Sequence, residues 1–495
     1  MYLRCTIEHP GRCSIPPAHA CREMLGDGEA AMGGSEHGMA LRRLVCDANK
    51  HMPAIVTLVT IVIGMFFIVV TPPGHIPDIW AHVYRIDGIL NGDVLVRPVD
   101  SKSLLHGSNG NVGGHVDWSW INFSLQEYDG YDPAVVRADT ITTQDAAGAD
   151  VPYNNSAVNS PVTYLPQLVA FAVGKTFGMS AHATYYLAEF VMLAVYALCM
   201  GLAVAALPRW RILVSIAMVC PVIMYRNAFA ISADSFTQAC TFLLTCMVFR
   251  TLYRRVSVRY CIALALLSVC TAMCKFTYAP LVLLILFVPH MQRRFAGEHV
   301  AGAAQGKRTC RDPRLWICIA AVAVSSIWLV VWIRLTSWFV TTPMIVPSEN
   351  VAAKKRALMG SFTGVAQAAY AIGKAIIHGK SNMDNIANSI VIICCWLAVL
   401  VMTVLITVTT VTKSLPVRMR VFLWCAWGID VGIILLTYLA LWLQYTPIGI
   451  DEVYGMQYRY FLPLTVLLVL CSAECVASLY AVKQHNGNAV SVDPC

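Results

Sequence analysis

"PAIVTLVTIVIGMFFIVVTPPGHIPDIWAHVYR", residues 53 to 85, holds nineteen residues free of charge and then delivers three prolines, two histidines, an aspartate and an arginine. A membrane-spanning helix needs about 20 mostly apolar residues, so the first part reads as a span. It lies too far from the N-terminus for an ordinary signal peptide, and no small-residue cleavage site follows. The run is therefore expected to stay in place as the first helix. The polar cluster that ends it then stands at one face of the membrane.

The rest of the chain agrees with a membrane class. Of its 495 residues, 57% are hydrophobic and 13% charged, against roughly 25% charged in soluble domains. The formal charge of +8 raises the question of nucleic acid, but the basic residues are spread among short loops as the positive-inside rule requires. No nucleic-acid role follows. Nineteen cysteines do not make a disulfide framework either. Many sit within apolar runs, among them Cys199, Cys220, Cys240, Cys246, Cys261, Cys270, Cys394 and Cys395, where cysteine acts as a small hydrophobe. The long loops contain none.

Residues 1 to 52 form a cytoplasmic segment without apolar periodicity, expected to be disordered, with Met39 as an alternative start. Its Cys5, Cys13, Cys21 and His19 match no common zinc spacing. Candidate spans are 53–71, 182–207, 211–229, 233–251, 257–274, 276–290, 314–337, 386–412, 419–443 and 460–482, ten in all. The marginal segment "VTYLPQLVAFAVGKTFG", 162 to 178, decides the topology. If it does not cross, Arg209, Arg211, "FRTLYRRVSVR", the basic stretch 291–314 and "TKSLPVRMR" all share a side with Arg42, Arg43 and Lys50. That is the positive-inside pattern, so the region 161–181 reads as an interfacial helix on the outer leaflet.

The expected fold is all-α integral membrane, with a polytopic domain over 53–482, a first outer loop at 72–160, a second at 338–385, and a cytoplasmic tail at 483–495. The first loop is acidic: Asp78, Asp87, Asp93, Asp100, Asp117, Glu127, Asp129, Asp132, Asp139, Asp145 and Asp150 outnumber Arg85, Arg97, Lys102 and Arg137. A loop this long in a compact protein is functional or disordered. Internal repeats, the broken-helix pairs of secondary transporters and a P-loop are all lacking.

Chemistry-bearing residues gather on the expected outer side. After Pro77, "DIWAHVYRIDGILNG" spaces Asp78, His82 and Arg85 at i, i+4 and i+7, one helical stripe. Asp78 reads either as an N-cap or as a general base or metal ligand; His82 as a metal ligand, an acid–base partner or a solvated residue; Arg85 as a phosphate clamp or a solvated residue. In "RNAFAISADSF", Asp234 is a helix cap or a site residue, and Arg226 either pairs with it or binds substrate. Lys275, in "CKFTYAP", is placed to snorkel or to hold a lipid phosphate. In "DEVYGMQYRYFLPL", Gln457, Arg459 and Tyr460 precede the last span, and an arginine between tyrosines suits phosphate binding.

These same stretches carry a resemblance. "PDIWAHVYRIDGILNG", "YLPQLVAFAVGKTFG", "SADSFTQACTFLL", "KFTYAPLVLL" and "GMQYRYFLPL" occur in the order seen in a family of uncharacterised bacterial membrane proteins, with its P-D-E-x-x-H, Y-x-P-Q, S-x-D-x-x-T, K-x-x-Y-x-P and G-x-Q-x-R-Y-x-x-P motifs. That family looks like a relative of the GT-C glycosyltransferases, which use polyprenyl-phosphate-linked sugars at the outer face and place an acid just after the first helix. The resemblance puts that acid at Asp78. The family's next residue, a glutamate, is Ile79 here, which favours single-base chemistry over a metal-binding carboxylate pair; a divalent metal is not required.

The expected activity is transfer of a sugar from a polyprenyl-phosphate donor to a cell-envelope glycan, glycolipid or protein. Asp78 and His82 would be catalytic; Arg85, Arg226, Asp234, Lys275, Gln457, Arg459 and Tyr460 would bind substrate. The setting would be a bacterial inner membrane, with both termini cytoplasmic. The alternatives are a transporter or flippase of lipid-linked glycans and a noncatalytic envelope-assembly protein.

Overall fold

The computed structural model describes residues 36–99, 112–127, 145–296, 312–340, 348–378, 386–450 and 452–489. Cys5, Cys13, Cys21, His19, Lys102, Arg137 and the last residues of the tail lie outside them.

The first helix, α1 (Glu36–Val70), is longer than its apolar run. The segment expected to lack structure up to residue 52 is thus helical from Glu36 onward. Its surface bears Leu58, Val62, Phe66 and Val69 exposed, as a lipid-facing helix should. There follow α2 (Ile79–Leu90), strands β1 (Arg97–Pro98) and β2 (Val112–Asp117), α3 (Trp118–Gln126), β3 (Gly148–Pro152) and the single turn α4 (Asn154–Ala157). The strands make one antiparallel sheet in the order β1, β2, β3, with Gly113 opposite Pro152 and Asp117 opposite Gly148. This sheet inside the first loop was not expected. It depends on glycine: a Cβ on Gly113 would lie 1.8 Å from the Val151 carbonyl oxygen.

Helix α5 (Leu165–Thr176), the predicted interfacial segment, lies against this loop domain. Trp120 of α3 stacks on Phe171 of α5 with centroids 4.4 Å apart. Lys175 donates to Asn91 Oδ1 at 2.5 Å and to Asp117 Oδ2 at 3.0 Å. Lys175 thus anchors this segment to the loop.

The bundle continues with α6 (Ala181–Ala206), α7 (Arg211–Met218), α8 (Pro221–Met224), α9 (Ala233–Tyr253), α10 (Val258–Cys274), a 3₁₀ stretch (Phe276–Leu286), and α11 (Phe287–Gln292). Then come α12 (Pro313–Val340), α13 (Ser348–Gly360), α14 (Phe362–His378), α15 (Ile386–Val411), α16 (Val417–Gln444), the 3₁₀ turns Tyr458–Tyr460 and Leu462–Leu464, and α17 (Thr465–Ala489). The second long loop is therefore largely the helices α13 and α14.

Among the described residues six helical stretches are long and apolar enough to cross a membrane: Asn49–Val70, Ala181–Ala206, Pro313–Trp338, Asn388–Val411, Val417–Gln444 and Tyr458–Lys483. Four of the ten expected spans fall short, each for a physical reason. The 211–229 run breaks where Pro221, which has no N–H to continue a helix, opens α8. Helix α9 carries Asp234, Ser235, Thr237, Gln238, Thr241 and Thr245 buried, so it is wrapped by protein rather than lipid. Helix α10 is short at 17 residues, and the segment after it is mostly 3₁₀ with Pro280 inside. Helix α9 packs against α6 and α10 and forms the inner wall on which the polar site is built.

Candidate functional site

Asp78 is the residue from which α2 starts, and its backbone is left-handed, with φ 63° and ψ 8°. Such a conformation is uncommon outside glycine, and short polar side chains tolerate it best. Its side chain makes no cap hydrogen bond. Instead Oδ1 accepts from Asn155 Nδ2 at 3.1 Å and Oδ2 accepts from Arg459 Nη2 at 3.1 Å. Burial works to raise the Asp78 pKa, but the positive charge of Arg459 beside it wins and holds the carboxyl below its ordinary range.

His82 lies one turn further into α2, buried, with Nδ1 2.6 Å from the Tyr164 hydroxyl. That hydroxyl accepts from Asn159 Nδ2 at 3.2 Å. Burial pushes the His82 pKa down to about 4, offset in part by Asp78 and Asp234. The ring is neutral at physiological pH.

Asp234 opens α9, where Ser232 is the cap: its Oγ accepts from the Asp234 amide at 3.3 Å. The carboxylate is thus free for cations. Lys275 Nζ, at the end of α10, reaches Oδ1 at 2.6 Å, and Arg459 Nε lies 3.6 Å from Oδ2. Arg459 so bridges the carboxylates of Asp78 and Asp234. Tyr460 backs both cations, with its ring 5.0 Å from Lys275 Nζ and 5.6 Å from the Arg459 guanidinium carbon. Tyr278 fixes the turn by donating its hydroxyl to the Tyr460 carbonyl at 2.9 Å.

Asp78, His82, Asp234, Lys275, Arg459 and Tyr460 line one cavity of about 300 Å³, together with Gln457, Asn155, Asn159, Thr277 and Tyr445. Six sequence-distant segments converge on it: the start of α2, the α4 region, the start of α9, the end of α10, the end of α16 and the turn before α17. Seven of the nine expected site residues meet here. Asn155, Asn159 and Tyr164 were missed, although "YNNSAVNSPVTY" is an asparagine-rich loop of the kind that orients carboxylates.

Two expectations are corrected. Arg85 is not in the cavity: it is wholly buried, and its Nη1 and Nη2 donate to the carbonyls of Asp93 and Val94 at 2.9 and 2.8 Å. Asp78 and His82 keep their one-turn relation, the His82 amide donating to the Asp78 carbonyl at 3.2 Å, while the Arg85 guanidinium is drawn to the chain that leaves α2. Counted from His82, Arg85 is rotated by about 60° and displaced by about a turn. Arg226 does not pair with Asp234, whose charge is met by Lys275 and Arg459. Its guanidinium carbon sits 4.8 Å from the ring centroid of Tyr225.

Chemically, the cavity holds the carboxylates of Asp78 and Asp234, the basic groups of Lys275 and Arg459, and the His82 imidazole. Lys275 and Arg459 each keep N–H donors beyond those spent on the carboxylates, so both can still take an anion. Asp78, the carboxylate at 32% exposure against 10% for Asp234, is the better placed to meet a hydroxyl.

Fold and site define a multi-pass membrane protein with an ion-paired polar cavity beside its helix bundle. Residues 61–468 match the family model described as "Predicted membrane protein (DUF2142)", and the chain belongs to that family. No curated protein and no solved structure matches it.

Proposed function

We propose that the protein is a membrane glycosyltransferase of GT-C type that takes a sugar from a polyprenyl-phosphate donor. The observation that carries this reading is the Asp78 carboxylate held by Arg459 in a cavity where Lys275 supplies a second cation. Asp78 would remove the proton of an acceptor hydroxyl, and the freed oxygen would attack the anomeric carbon. The bond from that carbon to the phosphate oxygen breaks, and polyprenyl phosphate leaves with the negative charge, which Lys275 and Arg459 stabilise as it develops. His82, neutral and oriented by Tyr164, would hold the acceptor or relay the proton.

An apolar groove supports a lipid-linked donor. A cavity of about 1030 Å³ runs along α17 from Phe461 and Leu462 to Ala481, walled by α15, α7 and α8. Arg459 and Tyr460, which line the polar cavity, immediately precede Phe461 and Leu462, so one turn touches both a headgroup site and a chain site. The acceptor would be a glycan, glycolipid or protein of a bacterial envelope.

The test is turnover by protein reconstituted in nanodiscs with a panel of polyprenyl-phosphate sugars, reading free polyprenyl phosphate. Asp78→Asn is expected to lower the rate by about 10²–10⁴-fold, the usual contribution of a general base, while donor binding survives. Transport of an intact lipid-linked sugar across vesicles, with no polyprenyl phosphate released, would instead identify a flippase.

A further inference from the structure

The buried faces of α9 and α10 hold a second cluster that the sugar-transfer reading leaves unused. The sulfur atoms of Cys240, Cys270 and Cys274 all lie within 4.8 Å of one another. Cys270 and Cys274 stand four residues apart on α10, hence on one helix face, and Cys240 meets them from α9. Among the described residues no other three side chains of the metal-ligating types gather so closely. Cys246, buried two turns further along α9, belongs to no such group, so convergence is not the common condition of thiols in this bundle.

We propose that Cys240, Cys270 and Cys274 form a binding site for a thiophilic monovalent cation, copper(I). Three sulfurs in a plane around an ion at about 2.3 Å stand roughly 4 Å apart, so the trio needs to close by less than about 1 Å. The donor set selects the ion. Structural zinc takes four ligands, and neither a carboxylate nor an imidazole joins this group; magnesium and calcium take oxygen. Copper(I) is soft and favours thiolate ligands, and here all three sulfurs together would hold it. The charge fits too: two thiols release their protons to the medium as the ion binds, leaving a single negative charge in an apolar surround. Cys240 and Cys274 are 2% and 1% exposed, whereas Cys270 is half-buried and marks the way in.

The site is coupled to the cavity through the chain. Cys274 directly precedes Lys275, and Cys240 shares α9 with Asp234. A bound ion would clasp α10 to α9 beneath the Lys275–Asp234 pair.

The experiment titrates the full-length protein, reduced and in nanodiscs, with copper(I) buffered by a chromophoric chelator. It reads metal per chain by mass spectrometry and protection of each cysteine from alkylation by peptide mapping. Expected are a loss of one ion per chain in Cys270→Ser and in Cys240→Ala, no loss in Cys246→Ala, and protection of Cys270 in the copper-loaded wild type. Equal copper in wild type and Cys270→Ser, or alkylation of Cys270 unchanged by copper in the wild type, overturns the proposal. The wild-type protection reading decides the matter even if a variant fails to fold. A denatured thiol count showing two of the three joined as a disulfide also overturns it.

Discussion

Asp78 and His82 sit four positions apart in the chain, and burial disfavours the charged form of both. Asp78 is held ionised by Arg459. His82 is held neutral by burial, with its pKa near 4 in the fold against about 6.5 in an unfolded chain. A group whose folded pKa is depressed contributes stability above its unfolded pKa and loses it as pH falls through the folded value. The protein is therefore expected to lose thermal stability between pH 6.5 and about 4 through this imidazole. His82→Gln, which cannot take up that proton, should show a flatter melting temperature over the same window. Identical pH slopes for both proteins would refute the assignment. If sugar transfer occurs, its acid limb should follow Asp78 and lie below neutrality, since the carboxylate is ionised at all higher pH.

Between elements, Arg85 joins the body of α2 to the chain leaving it, through the Asp93 and Val94 carbonyls. Arg85→Met keeps most of the volume and strands both acceptors, at a cost of about 2–4 kcal/mol. The measurement is a denaturation midpoint in detergent, with donor affinity per folded molecule expected to stay at the wild-type level. A variant of normal stability but lost donor binding would return Arg85 to the role of phosphate clamp. This residue also shows what the sequence could not disclose. Its spacing from Asp78 implied a shared stripe, but spacing gives only where the helix carries a side chain, and the carbonyls of Asp93 and Val94, beyond the end of α2, decide where this guanidinium goes. The motifs around Asp234, Lys275 and Arg459 were legible because each lies at the end of an apolar run, where polar side chains on one side of a membrane protein are forced together. The sheet was not legible: β2 is glycine-rich and short, and its partner strand lies 31 residues away.

For the molecule as a whole, hydropathy located the six long apolar helices, whereas the other four expected runs hold a proline break, buried polar residues, a short helix or a 3₁₀ stretch. Helix α9 is the clearest case, being polar on its buried side. The groove along α17 belongs to this scale, since α7, α8, α15 and α17 all wall it. Ala398 of α15 lines it and is exposed toward it. Ala398→Trp is expected to raise the KM for a long-chain donor by roughly 10-fold, as loss of fit in an apolar pocket does, while a short-chain analogue is affected much less. Equal effects on both donors would mean that the chain lies elsewhere.

The quartet of Asp78, Asp234, Lys275 and Arg459 has a consequence for energetics under a transmembrane voltage. Its two negative and two positive charges cancel, so the empty cavity presents no net charge for the field to act on. A donor phosphate would add charge where there was none, at up to about 2.3 kcal/mol for each unit crossing 100 mV. Any sensitivity to voltage would then appear in how tightly the loaded site holds its anion, and leave the resting protein unmoved.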